Sequence, residues 1–242
     1  MLTIADCLKR AAELSCVSDS PRLDLEVLLA AALGRSRAYL YTWPEKILTV
    51  AQARWFEEGL SSRRSGQPIA YILGEKEFWS LPLKVNDFAL IPRPETELLV
   101  ERALQLLPEA AQQVVDLGTG SGAIALALAS ERPQWQVMAI DKYPAVVALA
   151  EENRRRLQLH NTVVRQGEWL AGLEAQQQFH LVVSNPPYID PTDPHLGRGD
   201  VRFEPRAALI AENGGLADIQ QIARQALPRL FPGGWLLLEH GW

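Results

Sequence analysis

The chain reads as an α/β protein with a mainly parallel sheet covered by helices, preceded by a small helical domain and joined to it by a β-hairpin. Three observations predict this. Apolar residues recur at helical spacing through about the first 70 positions, the pattern changes to short extended runs between Pro68 and Val85, and from Pro94 onward apolar strands alternate with helical segments. Such alternation gives a Rossmann-like sheet, because each crossover helix returns the chain to the same end of the next strand. The expected domains are 1–70 (helical), 71–90 (hairpin linker) and 91–242 (ligand-binding).

Taken in order, Ile4, Leu8, Ala11 and Ala12 share one helix face. Ser20-Pro21 opens a second helix that carries Leu25, Leu28, Leu29 and Ala32 inward and stops at Gly34. A third spans Ala51 to Arg64 with Trp55, Phe56 and Leu60 inward. Tyr71-Ile72-Leu73 and Leu81-Pro82-Leu83-Lys84-Val85 read as the two arms of the hairpin. The parallel strands are expected at 114–117, 137–140, 162–166, 179–184 and 234–239. In such sheets ligands bind beyond the carboxyl ends of the strands.

Composition limits the function classes. A hydrophobic share of 48% with 22% charged residues is that of a globular protein able to bury a core. The net charge is −5, with nine basic against eight acidic residues in 1–70 and fifteen against twenty-one in the rest, so neither part is a basic platform for nucleic acid. Cys7 and Cys16 lack metal-ligand spacing and fit a reducing cytoplasm. Asp6, Lys9, Arg10 and Glu13 interrupt any signal-peptide core, and no apolar run is long enough to span a membrane. His160, His180, His195 and His240 are scattered, so no metal site is expected.

Two motifs carry the chemistry. Val114-Val115-Asp116-Leu117-Gly118-Thr119-Gly120-Ser121-Gly122 reads as a buried strand, a glycine-rich turn and a helix start, with Asp116, Gly118, Thr119, Gly120, Ser121 and Gly122 as cofactor-binding candidates. Gly118, Gly120 and Ala123 also satisfy a permissive dinucleotide spacing, so the turn alone does not choose between NAD and S-adenosylmethionine. Asp141, ending the second parallel strand, stands where a carboxylate takes two hydrogen bonds from a ribose diol, which both cofactors carry; it could equally cap the helix that Pro144 opens. Asn185-Pro186-Pro187-Tyr188 follows the strand Phe179–Ser184. Two prolines stiffen the turn and remove two donors, Asn185 adds an amide and Tyr188 a flat wall, which together suit a planar amide or amino group. A nicotinamide enzyme would need a hydride partner and proton relay there instead.

The combination resembles the HemK/PrmC family of S-adenosylmethionine-dependent methyltransferases, which methylate a glutamine side-chain nitrogen (N5) in class-1 translation release factors. Leu90-Ile91-Pro92-Arg93-Pro94-Glu95-Thr96-Glu97, the glycine turn, Ser184 to Ile189, Phe203 to Leu209 and Phe78 to Leu83 carry the resemblance. It implies an S-adenosylmethionine-binding fold, with S-adenosylhomocysteine as product. Asn185, Pro186 and Tyr188 would be catalytic, and Asn185 to Tyr188 would hold the substrate. Glu168 and Trp169 would lie beside adenine, although Glu168 stands where an aspartate is the family's pattern. Asn185 would also border the cofactor, and residues 1–70 would recognise the protein substrate.

Alternative readings are a ribosomal-protein glutamine, a nucleobase amino group, or an NAD oxidoreductase. The nucleobase reading requires base flipping and a grip on phosphates, against which the acidic half argues. Gly234 to Glu239 reads as a fifth buried strand with only three residues after it, whereas the resembling family continues into a helix and an antiparallel strand pair. The expectation is therefore an open sheet edge and a shortened C-terminus.

Overall fold

The computed structural model describes residues 2–241. It divides into two units, one holding the chain up to Gly74 together with Gly197–Phe203, the other holding Glu75–Leu196 and the chain from Glu204 onward.

The first unit is helical. Its elements are α1 (Ile4–Leu8), a 3₁₀ segment Lys9–Leu14, α2 (Pro21–Leu33), α3 (Arg37–Thr42), α4 (Val50–Arg64) and α5 (Ile69–Leu73). Thr3 and Asp6 form a capping box on α1, and Gly34 ends α2 in the left-handed conformation that a Cβ would disfavour. Ile4, Leu8, Leu25, Leu28 and Leu29 are buried as expected, but Ala12 is exposed and Leu14 buried in its place. The tighter 3₁₀ turn after Leu8 shifts the phase of the inward face. On α4, Phe56 and Leu60 point inward while Trp55 stays 37% exposed. Gly59 takes the inward position, where an added Cβ would stand 3.1 Å from Leu28 Cδ2, so α2 and α4 meet closely.

Arg63 is the polar hub of this unit. Its buried guanidinium reaches Asp24 at 2.7 Å, Asp200 at 2.9 Å and the carbonyls of Val17, Gly66 and Gln67. A buried arginine needs this many acceptors, since an unpaired charge there would cost several kcal/mol.

The second unit opens with the hairpin β1 (Glu75–Phe78) and β2 (Leu81–Lys84), turned by Trp79 and Ser80 at φ +52° and +61°. The expected first arm, Tyr71–Leu73, is instead the single helical turn α5. Pro68 precedes it and Gly74 closes it at φ +70°, so flanking chemistry overrides the extended preference of Tyr-Ile-Leu.

There follow α6 (Glu97–Leu106), β3 (Gln113–Leu117), α7 (Ala123–Glu131), β4 (Gln136–Asp141), α8 (Pro144–Arg156), β5 (Thr162–Gln166), β6 (Phe179–Ser184), α9 (Ala217–Ala226) and β7 (Leu230–Leu238). The five long-sheet strands are all parallel in the order β5-β4-β3-β6-β7, so the order reverses between β3 and β6. Every residue of α7 from Ala123 to Ala129 is buried, which explains its unbroken apolar run. β7 begins four residues before the expected Gly234 and is not a buried strand: every residue in it is half-buried or exposed, with Trp235 44% accessible. It lies at the sheet edge, paired with β6 alone among the described residues. No helix among the described residues is long and apolar enough to cross a membrane.

Candidate active site

The carboxyl ends of β3, β4, β5 and β6 surround a cavity of about 540 Å³ within the second unit. The glycine turn forms its floor. Gly118 sits at φ +67°, and a Cβ there would approach the Trp169 ring to 3.3 Å; at Gly122, φ +89°, it would strike Leu126 at 2.8 Å. Only glycine permits both the turn and the helix start behind it.

The turn is pinned from three sides. Thr119 N–H donates to the Ile140 carbonyl at 2.9 Å and Gly120 N–H to Asp141 Oδ2 at 3.1 Å, tying it to the end of β4. Beneath it, Asp116 Oδ2 accepts the Thr119 hydroxyl at 2.6 Å and Ala125 N–H at 3.2 Å. Behind it, Asn153 on α8 donates to the Ser121 carbonyl at 2.9 Å while exchanging two bonds with the Lys84 backbone.

Gly118, Thr119, Gly120, Ser121, Asp141, Glu168, Trp169, Asn185 and Pro187 line the cavity; Asp116, Gly122, Pro186 and Tyr188 do not. Asp116 is fully buried and supports the turn from below, and burial pushes its carboxyl up to about 7. Pro186 is buried and Tyr188 half-buried. Glu168 is exposed and accepts Lys142 Nζ at 2.7 Å, so its carboxylate is engaged at the rim. Trp169, at φ +52°, packs on the core beneath the sheet and presents an edge to the cavity.

Asp141 is 8% exposed and its pKa is raised by burial against backbone donors that lower it. Oδ1 accepts Tyr143 N–H at 3.1 Å and Oδ2 accepts Gly120 N–H. The cap reading does not hold, since the N-cap of α8 is Tyr143 and no side chain caps it; Asp141 instead braces the turn before the helix, with a lone pair left on each oxygen. The Ser121 hydroxyl, 2% exposed on the cavity wall, has no hydrogen-bond partner, leaving a polar atom for a ligand to satisfy. A carboxylate with free lone pairs, an indole edge and polar groups at the glycine turn thus line one cavity, whose volume is that of a ligand pocket.

Asn185 follows β6 directly. Its Nδ2 donates to Thr96 Oγ1 at 3.1 Å, Thr96 donates to Glu239 Oε2 at 2.7 Å, and the Tyr188 hydroxyl donates to Glu239 Oε1 at 3.1 Å. Burial and the neighbouring Glu239 push the Tyr188 phenol up to about 12, so it remains a donor. Two of the stretches that carry the resemblance meet as well: Glu204, its side chain fully buried, accepts Ile91 N–H at 3.2 Å and pairs with Arg93. Sequence reasoning did not single out Thr96, Asn153, Glu204 or Glu239 as individual residues. Thr96, Glu204 and Glu239 lie in stretches already quoted, but no local signal marks their pairings, and Asn153 lies in none of them.

Residues 6–74 match the PrmC N-terminal domain family, and residues 94–226 match the methyltransferase small domain. The release factor glutamine methyltransferase of Shewanella oneidensis is 53% identical over 239 residues, covering 98% of this chain and 83% of that protein. The chain belongs to the release factor glutamine methyltransferase family. The family's protein of the same description from Pseudomonas aeruginosa is 54% identical over 244 residues, covering 100% of this chain and 87% of its own length. That of Escherichia coli is 52% identical over 225 residues, covering 93% and 81%.

Proposed function

We propose that this protein transfers a methyl group from S-adenosylmethionine to the side-chain amide nitrogen (N5) of a glutamine in a class-1 translation release factor. The observation that carries this reading is the placement of Asn185 at the end of β6, adjacent in the sheet to the glycine turn after β3, with its NH₂ held by Thr96. The bound cofactor supplies a sulfonium-activated methyl group.

The protein's own work is orientation. Asn185 Oδ1 and the Pro186 carbonyl each accept one N–H of the substrate amide, which would turn its nitrogen lone pair toward the methyl group. The same acceptors stabilise the positive charge that grows on nitrogen as the N–C bond forms and the S–C bond breaks. Deprotonating a neutral amide first would be prohibitive, so no strong base is required; the proton leaves to solvent after transfer. Pro187 and Tyr188 flank the flat face of the amide.

The glycine turn, Asp141, Glu168 and Trp169 hold the cofactor, with Asp116 acting through the shape of the turn. The helical unit recognises the release factor, and its exposed Tyr41, Trp43 and Val50 suit a protein surface. The acidic balance and the absence of a basic platform favour a protein over a nucleic-acid substrate, and translation factors place the reaction in the cytoplasm.

The test is mass spectrometry of a release factor incubated with enzyme and labelled cofactor. One methyl on a glutamine amide is expected, and Asn185→Ala should lower the rate by about 100- to 1000-fold. Methylation of ribosomal protein or nucleic acid with an untouched release factor would overturn the assignment.

A further inference from the structure

We propose that Thr96 and Glu239 form a positioning relay that decides which end of the Asn185 amide faces the substrate. The inference rests on the methyl-transfer reading above and deepens it.

The argument is one of hydrogen-bond direction. A carboxylate can only accept, so the short contact from Thr96 Oγ1 to Glu239 Oε2, 2.7 Å, commits the single hydroxyl proton of Thr96 to Glu239. Thr96 then has only lone pairs to offer. The one end of a carboxamide that can meet them is the NH₂, and Asn185 Nδ2 stands 3.1 Å away. A flipped Asn185 would set two lone-pair-bearing oxygens against each other. Its Oδ1 is therefore left as the acceptor for a substrate N–H.

Without the relay an asparagine could present donor or acceptor, and a donor toward the substrate amide would repel the hydrogens it has to orient. The carboxylate also polarises the chain of bonds, making Oδ1 a stronger acceptor as charge develops on the reacting nitrogen.

Glu239 is itself held. It follows β7 directly, and its N–H donates to the Ser184 carbonyl at 3.1 Å, one residue before Asn185. Its other oxygen takes the Tyr188 hydroxyl, so one carboxylate orients both polar members of the tetrapeptide. Thr96 is 4% exposed at the start of α6, and its hydroxyl makes no cap bond there, which leaves the relay as its structural employment.

The test compares Thr96→Val, Thr96→Ser, Glu239→Gln, Asn185→Ala and the double variant Thr96→Val/Asn185→Ala in the whole chain. It reads kcat and KM for intact release factor, Kd for S-adenosylhomocysteine, and Tm. Thr96→Val should lower kcat about tenfold, leaving KM and Kd within about twofold, and Thr96→Ser should restore it. Glu239→Gln should lower kcat similarly, because an amide can donate to Thr96 and reverse the relay. In the Asn185→Ala background Thr96→Val should have no further effect, since Thr96 acts only through Asn185.

An equal loss in both backgrounds, or a Thr96→Val kcat within twofold of wild type, overturns the relay. An active Asn185→Ala variant would instead overturn the parent reading. Should Thr96→Val not fold, Glu239→Gln carries the same cycle.

Discussion

Replacing Asp141 with asparagine tests the cofactor site where geometry fixes the answer. Each carboxylate oxygen already accepts one backbone N–H, from Tyr143 and Gly120, both at 3.1 Å. One acceptor position per oxygen remains, matching the two hydroxyls of a ribose diol. Asparagine keeps the shape but turns one oxygen into a donor. That end then faces a backbone N–H and a ribose hydroxyl with nothing to accept either, and the remaining oxygen has lost its charge. Losing charge-assisted bonds at this site should cost about 2 to 3 kcal/mol, a rise in Kd of about 30- to 160-fold. Isothermal titration with S-adenosylhomocysteine measures it directly, and a thermal melt checks that the turn survives. A Kd within threefold of wild type at unchanged Tm would refute the diol assignment.

Three further expectations concern other parts of the molecule. Asp116 has its folded pKa pushed up to about 7 from an ordinary value near 3.8 by burial, so its contribution to stability is fully present below about pH 4 and is lost as pH rises through 7. Unfolding in denaturant at pH 5 and pH 8 should reveal a fall, of order 3 kcal/mol from this group because about two pH units separate pH 5 from the folded pKa, that Asp116→Asn largely removes; an equal fall in both proteins would count against it. Gly215 sits at φ +81° with an added Cβ only 2.2 Å from the Tyr188 carbonyl, so Gly215→Ala should displace the Asn-Pro-Pro-Tyr turn and cost about 2 kcal/mol or more. A melt lowered by several degrees together with reduced kcat is expected, and wild-type values in both would refute it. On the helical unit, Trp43→Ala with Val50→Asp should raise KM for intact release factor about tenfold while leaving cofactor affinity untouched. An unchanged KM would move the recognition surface elsewhere.

Features written in neighbouring residues were legible before the structure. The glycine turn, Asp141 and the Asn185 tetrapeptide each follow a short apolar strand, and strand ends are where such sheets bind ligands. Long-range pairings were not legible. Thr96 reads as an ordinary helix start and Glu239 as the end of a strand, and nothing local announces that 143 residues of chain bring them together. Asn153 is hidden likewise, since an asparagine in a helix rich in arginine reads as solvent-facing until its 2.9 Å bond to Ser121 is seen. Tyr71–Leu73 misled in the other direction, because three residues of extended preference carry less weight than the proline and glycine around them.

The reversal of strand order between β3 and β6 has a consequence for the range of acceptors. Leu117 and Ser184 are register partners, and the Ser184 hydroxyl donates to the Leu117 carbonyl at 2.6 Å, so the glycine turn and the Asn185 tetrapeptide leave the same rung of one ladder. Adjacent strands are set about 4.8 Å apart by backbone geometry. The separation behaves as a fixed gauge, and an incoming side chain either has the length to reach or falls short. Asparagine, one methylene shorter than glutamine, would stop about 1.5 Å before the seat. Such a protein can be given a new partner by rebuilding the surface that captures it, but a new acceptor length would require re-spacing the sheet. A release factor with asparagine at the methylated position should therefore bind and compete with the native substrate yet take no label.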